Sequence, residues 1–241
     1  MVNGCWDSGD SMTKRLISLI LASIGASALI AAMPAASATL VVNGGFQAGV
    51  PDFSGDEDRF EQVDAGDNTT LPGWTVGPGN VDWIHGYWEG SSGNLNDYSV
   101  DLSGSANGTI WQTITGLVTN QWYELTFDVA TNFDMPAPQS LIFSFAGGIG
   151  GILGSADGTT HPNDSWTTYT IPIQWWGGSD TAVLLFASAG SVNSGCCWGP
   201  ALDNVALNAV PLPAALPLFA AGLGAMGFFA SRRRRKAAPA A

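Results

Sequence analysis

The chain has 241 residues and a formal net charge of −12, with 31 glycines, ten tryptophans and only 12% charged residues. Seven of its eight basic residues lie in the two end segments, so between Thr39 and Ala209 Arg59 stands alone against eighteen Asp and Glu. A body of that sign repels nucleic acid and anionic headgroups, and so much Gly and Trp with so little charge favours short strands and turns over long helices.

Residues 1–11 are acidic and precede Met12, which is the better start for a leader sequence. Lys14 and Arg15 begin an apolar run, Leu16 to Met33, that ends in Ala36-Ser37-Ala38. A positive start, an apolar middle and a small-residue cleavage site predict a secretory signal peptide over 12–38 and a mature chain from Thr39. Cys5 then falls outside the product.

The body, 39–209, is predicted as a series of short strands: Thr39–Val42, Arg59–Val63, Trp74–Val76, Val81–Ile84, Ser99–Leu102, Thr109–Thr115, Trp122–Ala130, Ser140–Ala146, Ser165–Ile173, Ala182–Ala187 and Leu202–Leu207. The alternation in Trp122–Ala130 sets Tyr123, Leu125, Phe127 and Val129 on one face and Trp122, Glu124, Thr126 and Asp128 on the other. In Thr109–Thr115 the same period puts Gln112 with Ile110 and Ile114, and Trp111 on the opposite, solvent-facing row. No helical stripe interrupts the series, which makes the body an all-β sandwich. The glycine-rich Ala146–Gly158 is read as a loop or a ragged strand pair. It lacks the Lys and Ser/Thr of a phosphate loop, and nucleotide binding is rejected.

Several clusters could carry chemistry. A pyranose stacks its apolar face on a flat ring while polar side chains fix its hydroxyls. Val81–Gly90 places Trp83, His85, Tyr87 and Trp88 close together with Asp82 and Glu89, Trp175 and Trp176 are adjacent, and Trp111 faces outward. Tyr87, Trp88, Trp111, Trp175 and Trp176 are therefore the candidate sugar platforms, and Trp74 and Trp83 are assigned to the core. The acidic stretch Ser54–Asn68 departs from an EF-hand, because Phe60 stands where an oxygen ligand is needed, and it is read as a solvated loop. Export would put the adjacent Cys196 and Cys197 in an oxidising compartment, as a vicinal disulfide, an intermolecular bridge or free thiols. Two histidines, no lysine in the body and no Gly-x-Ser-x-Gly motif predict a non-catalytic protein. The alternatives are a glycoside-active enzyme with an Asp/Glu pair, or an adhesive surface protein with a protein partner.

Val210-Pro211-Leu212-Pro213-Ala214 introduces an uncharged run to Ala230 and then Arg232–Lys236. Seventeen apolar residues rise ~25 Å, the low end for a transmembrane helix, and the basic cluster would stay cytoplasmic. This motif, helix and arginine cluster resemble the VPLPA variant of the PEP-CTERM sorting signals of Gram-negative bacteria. The resemblance implies an exosortase-type partner, transient anchoring in the inner membrane facing the periplasm, and a final place at the cell surface or in an extracellular polysaccharide matrix. The ordered segments LVVNGGFQAG, LPGWTVGPGNVDWI, YSVDLSGSANGTIWQTITGL, YELTFDVA and CWGPALDNVAL resemble the choice-of-anchor C family. That likeness implies a secreted, galactose-binding-like jelly roll. In related carbohydrate-binding jelly rolls the Asn-Gly-Gly-Phe-Glu turn and a late Asp-Asn-Val hold a structural Ca²⁺. Here Gln47 replaces the Glu and Asp203 is retained, so Gln47 and Asp203 are the implied calcium ligands.

Overall fold

The computed structural model describes residues 38–49, 59–132, 134–135, 138–146, 152–190 and 198–211, and in the tail 219, 222–224 and 226–228. The chain divides into two units, Ser37–Pro211 and Met1–Ala36 with Leu212–Ala241. Of the second unit the described tail residues are helical and exposed. Among the described residues no helix is long and apolar enough to cross a membrane. The predicted signal peptide up to Ser37, Leu212–Ala214 of the predicted sorting motif, Asp56, Glu57 and Asp58, and both Cys196 and Cys197 lie outside the described residues.

Among the described residues of the first unit there are eleven strands: β1 Phe60–Asp64, β2 Thr75–Val76, β3 Asn80–His85, β4 Tyr98–Asp101, β5 Thr109–Thr115, β6 Trp122–Thr131, β7 Gln139–Ala146, β8 Ile152–Gly158, β9 Thr167–Gln174, β10 Thr181–Ser188 and β11 Pro200–Ala209. They form a six-stranded sheet, β1-β3-β4-β11-β6-β9, and a five-stranded sheet, β2-β5-β10-β7-β8. All the strand pairs are antiparallel. The two sheets pack face to face as a sandwich. Phe127 of β6 marks its middle, with its ring 5.2 Å from Phe143 of β7 and 5.1 Å from Phe186 of β10. Tyr123, Leu125, Phe127 and Val129 are all buried in this core, as the alternation of β6 requires.

Two segments depart from the sequence reading. The glycine-rich stretch yields the regular edge strand β8, paired to β7 from Gln139↔Gly158 to Phe145↔Ile152. Its Gly154 fits because the Phe143 ring lies where a side chain would stand: a Cβ there would fall 2.5 Å from Phe143 Cζ. Thr39–Val42, predicted as a strand, belongs to no ladder. Its backbone is satisfied differently. Leu40 N donates to Leu207 O at 2.8 Å, and Leu207 N donates to Thr39 Oγ1 at 2.9 Å. The buried Gln112 amide accepts from Val42 N at 3.0 Å and donates to Val42 O at 3.1 Å, a side-chain imitation of a strand partner. Gln112→Leu would leave both groups unpaired, and we expect it to cost about 2 kcal/mol, measured as a lowered urea midpoint.

The next turn, Asn43–Gln47, is clamped from the core. Trp74 Nε1 donates to Asn43 O at 3.0 Å and Trp83 Nε1 donates to Phe46 O at 3.1 Å. Asn43 and Phe46 both have positive φ, 52° and 56°, an uncommon state for a buried phenylalanine. The register break in β11 between Asp203 and Ala206 frees Val205 N to donate to Gly44 O at 2.8 Å. Both tryptophans are core residues, as expected.

Candidate functional site

The outer face of the six-stranded sheet is the chemically unusual one. In β3, Val81 and Trp83 enter the core, so period two turns Asn80, Asp82 and Ile84 outward. In β4, Val100 is inward and Asp101 outward, and Asp82 is the direct partner of Asp101 across the ladder. In β11 and β6, Asp203 is paired with Asp128. Because β3, β4, β11 and β6 are consecutive neighbours, four carboxylates share one outer face, and all four are buried. Like charges set opposite each other repel. The chain supplies little to offset this, since the guanidinium of Arg59 donates to Gly86 O at 2.6 Å.

Each acid is held differently. Asp101 accepts from Ser103 N and Gly199 N, both at 2.8 Å on Oδ1, and from Asn132 Nδ2 at 2.8 Å on Oδ2. Burial pushes its carboxyl up to about 8 against those donors, and the charge of Asp82 adds to the rise. Asp82 is only 8% exposed, and its buried Oδ1 has no hydrogen-bond partner. Burial lifts it to about 7. Asp203 accepts from Ser91 N at 2.9 Å and from Asn204 N at 2.6 Å, and burial lifts it also to about 7. Asp128 accepts from Thr168 Oγ1 at 2.6 Å and Asn204 Nδ2 at 3.1 Å.

Asp82 and Asp101 line a cavity of about 180 Å³. Its walls are aromatic, from Phe60, Tyr87, Trp88 and Trp198, and its polar lining includes Gln62, Ser105, Asn132 and Asp134. Tyr87 is 6.4 Å edge-on from Phe60, and its hydroxyl donates to Asp134 Oδ2 at 2.8 Å. Asp134 N donates to Asn132 Oδ1 at 2.9 Å, and Gln139 Nε2 holds Trp198 O at 3.1 Å. Glycine is required at two points of the site. A Cβ on Gly104 would lie 2.8 Å from Asp82 Oδ1, and one on Gly199 would lie 2.6 Å from Asp101 Oδ1.

Of the five candidate platforms, Tyr87 alone is both in this cavity and partly open to solvent. Trp88 is 0% exposed and belongs to a second apolar cluster with Ile84, Ala130 and Ala201. Its indole donates to Ser99 Oγ at 2.7 Å, so it seals the outer face of the sheet and offers no stacking surface. Trp175 is likewise enclosed, 5.6 Å from Phe145 in the core, with its N–H given to Ser179 O. Trp176 is exposed at the end of β9, and Trp111 is half-buried on β5 of the other sheet. The structure therefore does not assemble the five into one site. The residues that the sequence reading did not single out are Asp101, Phe60, Gln62, Asn132, Asp134 and Trp198. The signal that was present is an outward-phased Asp in each of two short apolar strands, VDW and SVD.

Gln47 meets Asp97, and Asp203 accepts from Ser91 N, next to Asp97's partner Ser92. Gln47 Nε2 contacts Asp97 Oδ1, and Asp97 Oδ2 accepts from Ser92 Oγ at 2.5 Å. Calcium needs a cage of six to eight oxygens, roughly. Among the described residues no three His, Cys, Asp or Glu side chains are gathered for a metal, and the oxygens of Asp203 and Asp97 already face hydrogen-bond donors. Val210, the first residue of the predicted sorting motif, is tied to the sandwich, with its N donating to Trp122 O at 2.8 Å, and Pro211 comes next, exposed.

Known proteins share parts of this sequence and of its fold. A 108-residue stretch is 38% identical to halomucin of Haloquadratum walsbyi, covering 45% of this chain and 1% of that protein, so the chain spans about a hundredth of the curated relative it matches. Among solved structures, a CBM4 module aligns over 70% of this chain and 99% of its own at 15% identity and TM-score 0.41. A CBM61 module in complex with β-1,4-galactotriose covers 71% and 98% at 14% identity and TM-score 0.41. The CBM22-1 xylan-binding domain from Paenibacillus barcinonensis covers 64% and 95% at 16% identity and TM-score 0.41. The family model described as "Protein of unknown function (DUF642)" matches residues 39–208, nearly the whole sandwich: the chain belongs to the DUF642 family.

Proposed function

We propose that the sandwich binds carbohydrate, one sugar unit at a time, in the cleft on the outer face of its six-stranded sheet. The observation that carries this reading is the cleft itself, where the rings of Phe60, Tyr87 and Trp198 surround the buried polar groups of Asp82 and Asn132 and the exposed amide of Gln62. Flat rings with a few fixed hydrogen-bonding groups are what a pyranose needs. A catalytic reading is favoured only by the Asp82–Asp101 pairing, and the carboxylate of Asp101, 1% exposed, is already held by three donors. The role is binding. The setting we propose is the one implied by the signal peptide and VPLPA tag: export, processing by an exosortase-type enzyme, and residence at the cell surface or in a polysaccharide matrix as a choice-of-anchor C type protein.

A glycan array with the wild-type chain and Trp198→Ala tests the reading. Binding to at least one glycan, weakened about tenfold or more by Trp198→Ala and unchanged by Trp111→Ala, is expected. Binding that depends on Trp111 and ignores Trp198 would move the site to the other sheet.

A further inference from the structure

We infer that the cleft of Asp82, Asp101 and Asp134, walled by Phe60, Tyr87 and Trp198, takes the protonated amine of an amino sugar, a hexosamine whose nitrogen is free and not acetylated. The inference rests on the carbohydrate reading above and names the class of sugar.

Charge is the first argument. Three carboxylates line the cavity, and among the described residues no Lys, Arg or His does. Between Thr39 and Ala209 the chain's only Lys or Arg is Arg59, and its guanidinium is engaged on Gly86 O. Among the described residues, then, no basic side chain lines the cavity beside these acids. The second argument is an unmet acceptor. Asp82 is more than nine-tenths buried, lines the cavity and has no donor on Oδ1, whereas Asp101 has three donors and Asp134 accepts from Tyr87. An N–H or O–H brought by a ligand would satisfy it.

The walls decide which cation. A metal ion needs oxygens on most sides, and rings supply none. An ammonium is suited to both parts, since it has N–H donors for the carboxylates and is attracted to the faces of Tyr and Trp. A neutral pyranose would use the rings and offer Asp82 an O–H, but it would bring no charge to favour the ionised carboxylate. N-acetylation would discharge the nitrogen and remove the match. Burial raises the proton affinity of Asp82, so an incoming ammonium replaces a proton and binding releases one to the buffer.

The test titrates glucosamine, N-acetylglucosamine, glucose and lysine amide into the full chain near pH 6, by calorimetry in two buffers and by the NMR signal of the Trp198 indole. The expected result is glucosamine bound at least tenfold tighter than the other three. Its heat should depend on the buffer, as proton release requires, and Asp82→Asn should abolish both the preference and the release. Equal binding of glucose and glucosamine would overturn the amine assignment and leave the carbohydrate reading standing. No response to any sugar would remove both. Lysine amide bound as tightly as glucosamine, or a glucosamine preference that survives in Asp82→Asn, would also overturn the assignment. Should Asp82→Asn fail to fold, the buffer dependence in the wild-type chain and its loss in Trp198→Ala decide the question.

Discussion

Raising the pH from 4 to 8 should strip the folded sandwich of several kcal/mol of stability. The cause is the buried acid row. Asp82, Asp101 and Asp203 titrate near 3.8 when exposed, but burial raises them to about 7, about 8 and about 7. Between those limits the unfolded chain has lost protons that the folded chain still holds. Stability therefore falls as pH rises, is full below about 4 and levels off above about 8. A tenfold difference in proton affinity is worth about 1.4 kcal/mol, so Asp82 alone could account for on the order of 4 kcal/mol. Set against a typical total of roughly 5–15 kcal/mol, that is a large share. Urea midpoints at pH 5 and pH 8 measure it. Self-repulsion of an acidic chain acts in the same direction. Asp82→Asn isolates the local part, because among the described residues it removes the carboxylate whose buried oxygen has no donor: it should raise the midpoint at pH 8 and flatten the slope. A midpoint higher at pH 8 than at pH 5 would contradict the account.

Trp83→Ala should cost roughly 3–5 kcal/mol, the range for deleting a large buried aromatic. Trp83 is fully enclosed, packs 5.2 Å from Tyr98 and holds Phe46 O through its indole N–H. Its loss opens a cavity and also releases a turn in which Phe46 is kept at positive φ. Trp83→Phe separates the two effects. It keeps most of the bulk, loses the N–H, and should cost about 1–3 kcal/mol. If the two variants were equally destabilised, the hydrogen bond would matter more than the packing. Equilibrium unfolding in urea reports both.

Much of the sandwich was legible because its strands are short, alternating and separated by turn residues. Ten of the eleven predicted strands coincide with β1–β7 and β9–β11 to within two residues at each end. The faces of β5 and β6 were readable from period two, including the inward Gln112. The same rule applied through β9 places Ile173 and Trp175 inward and Trp176 outward, so the enclosure of Trp175 was available in the sequence. Thr39–Val42 misled because it has the composition of a strand while its partners are side chains. The cleft was less visible for a different reason. That Asp82 meets Asp101 is a matter of register between β3 and β4, and the connection joining them folds back over its own sheet. There Trp88 becomes a second-layer core residue, indistinguishable in composition from an exposed platform.

Thr39 and Leu207, 168 positions apart, are joined by a hydrogen bond, so the domain's beginning and end sit at one corner. A loop of a few residues could close the polypeptide into a circle, and new ends cut at an exposed turn would leave the ladders whole. The same adjacency allows the sandwich to be spliced into a surface loop of a host protein without prising apart the stem that carries it.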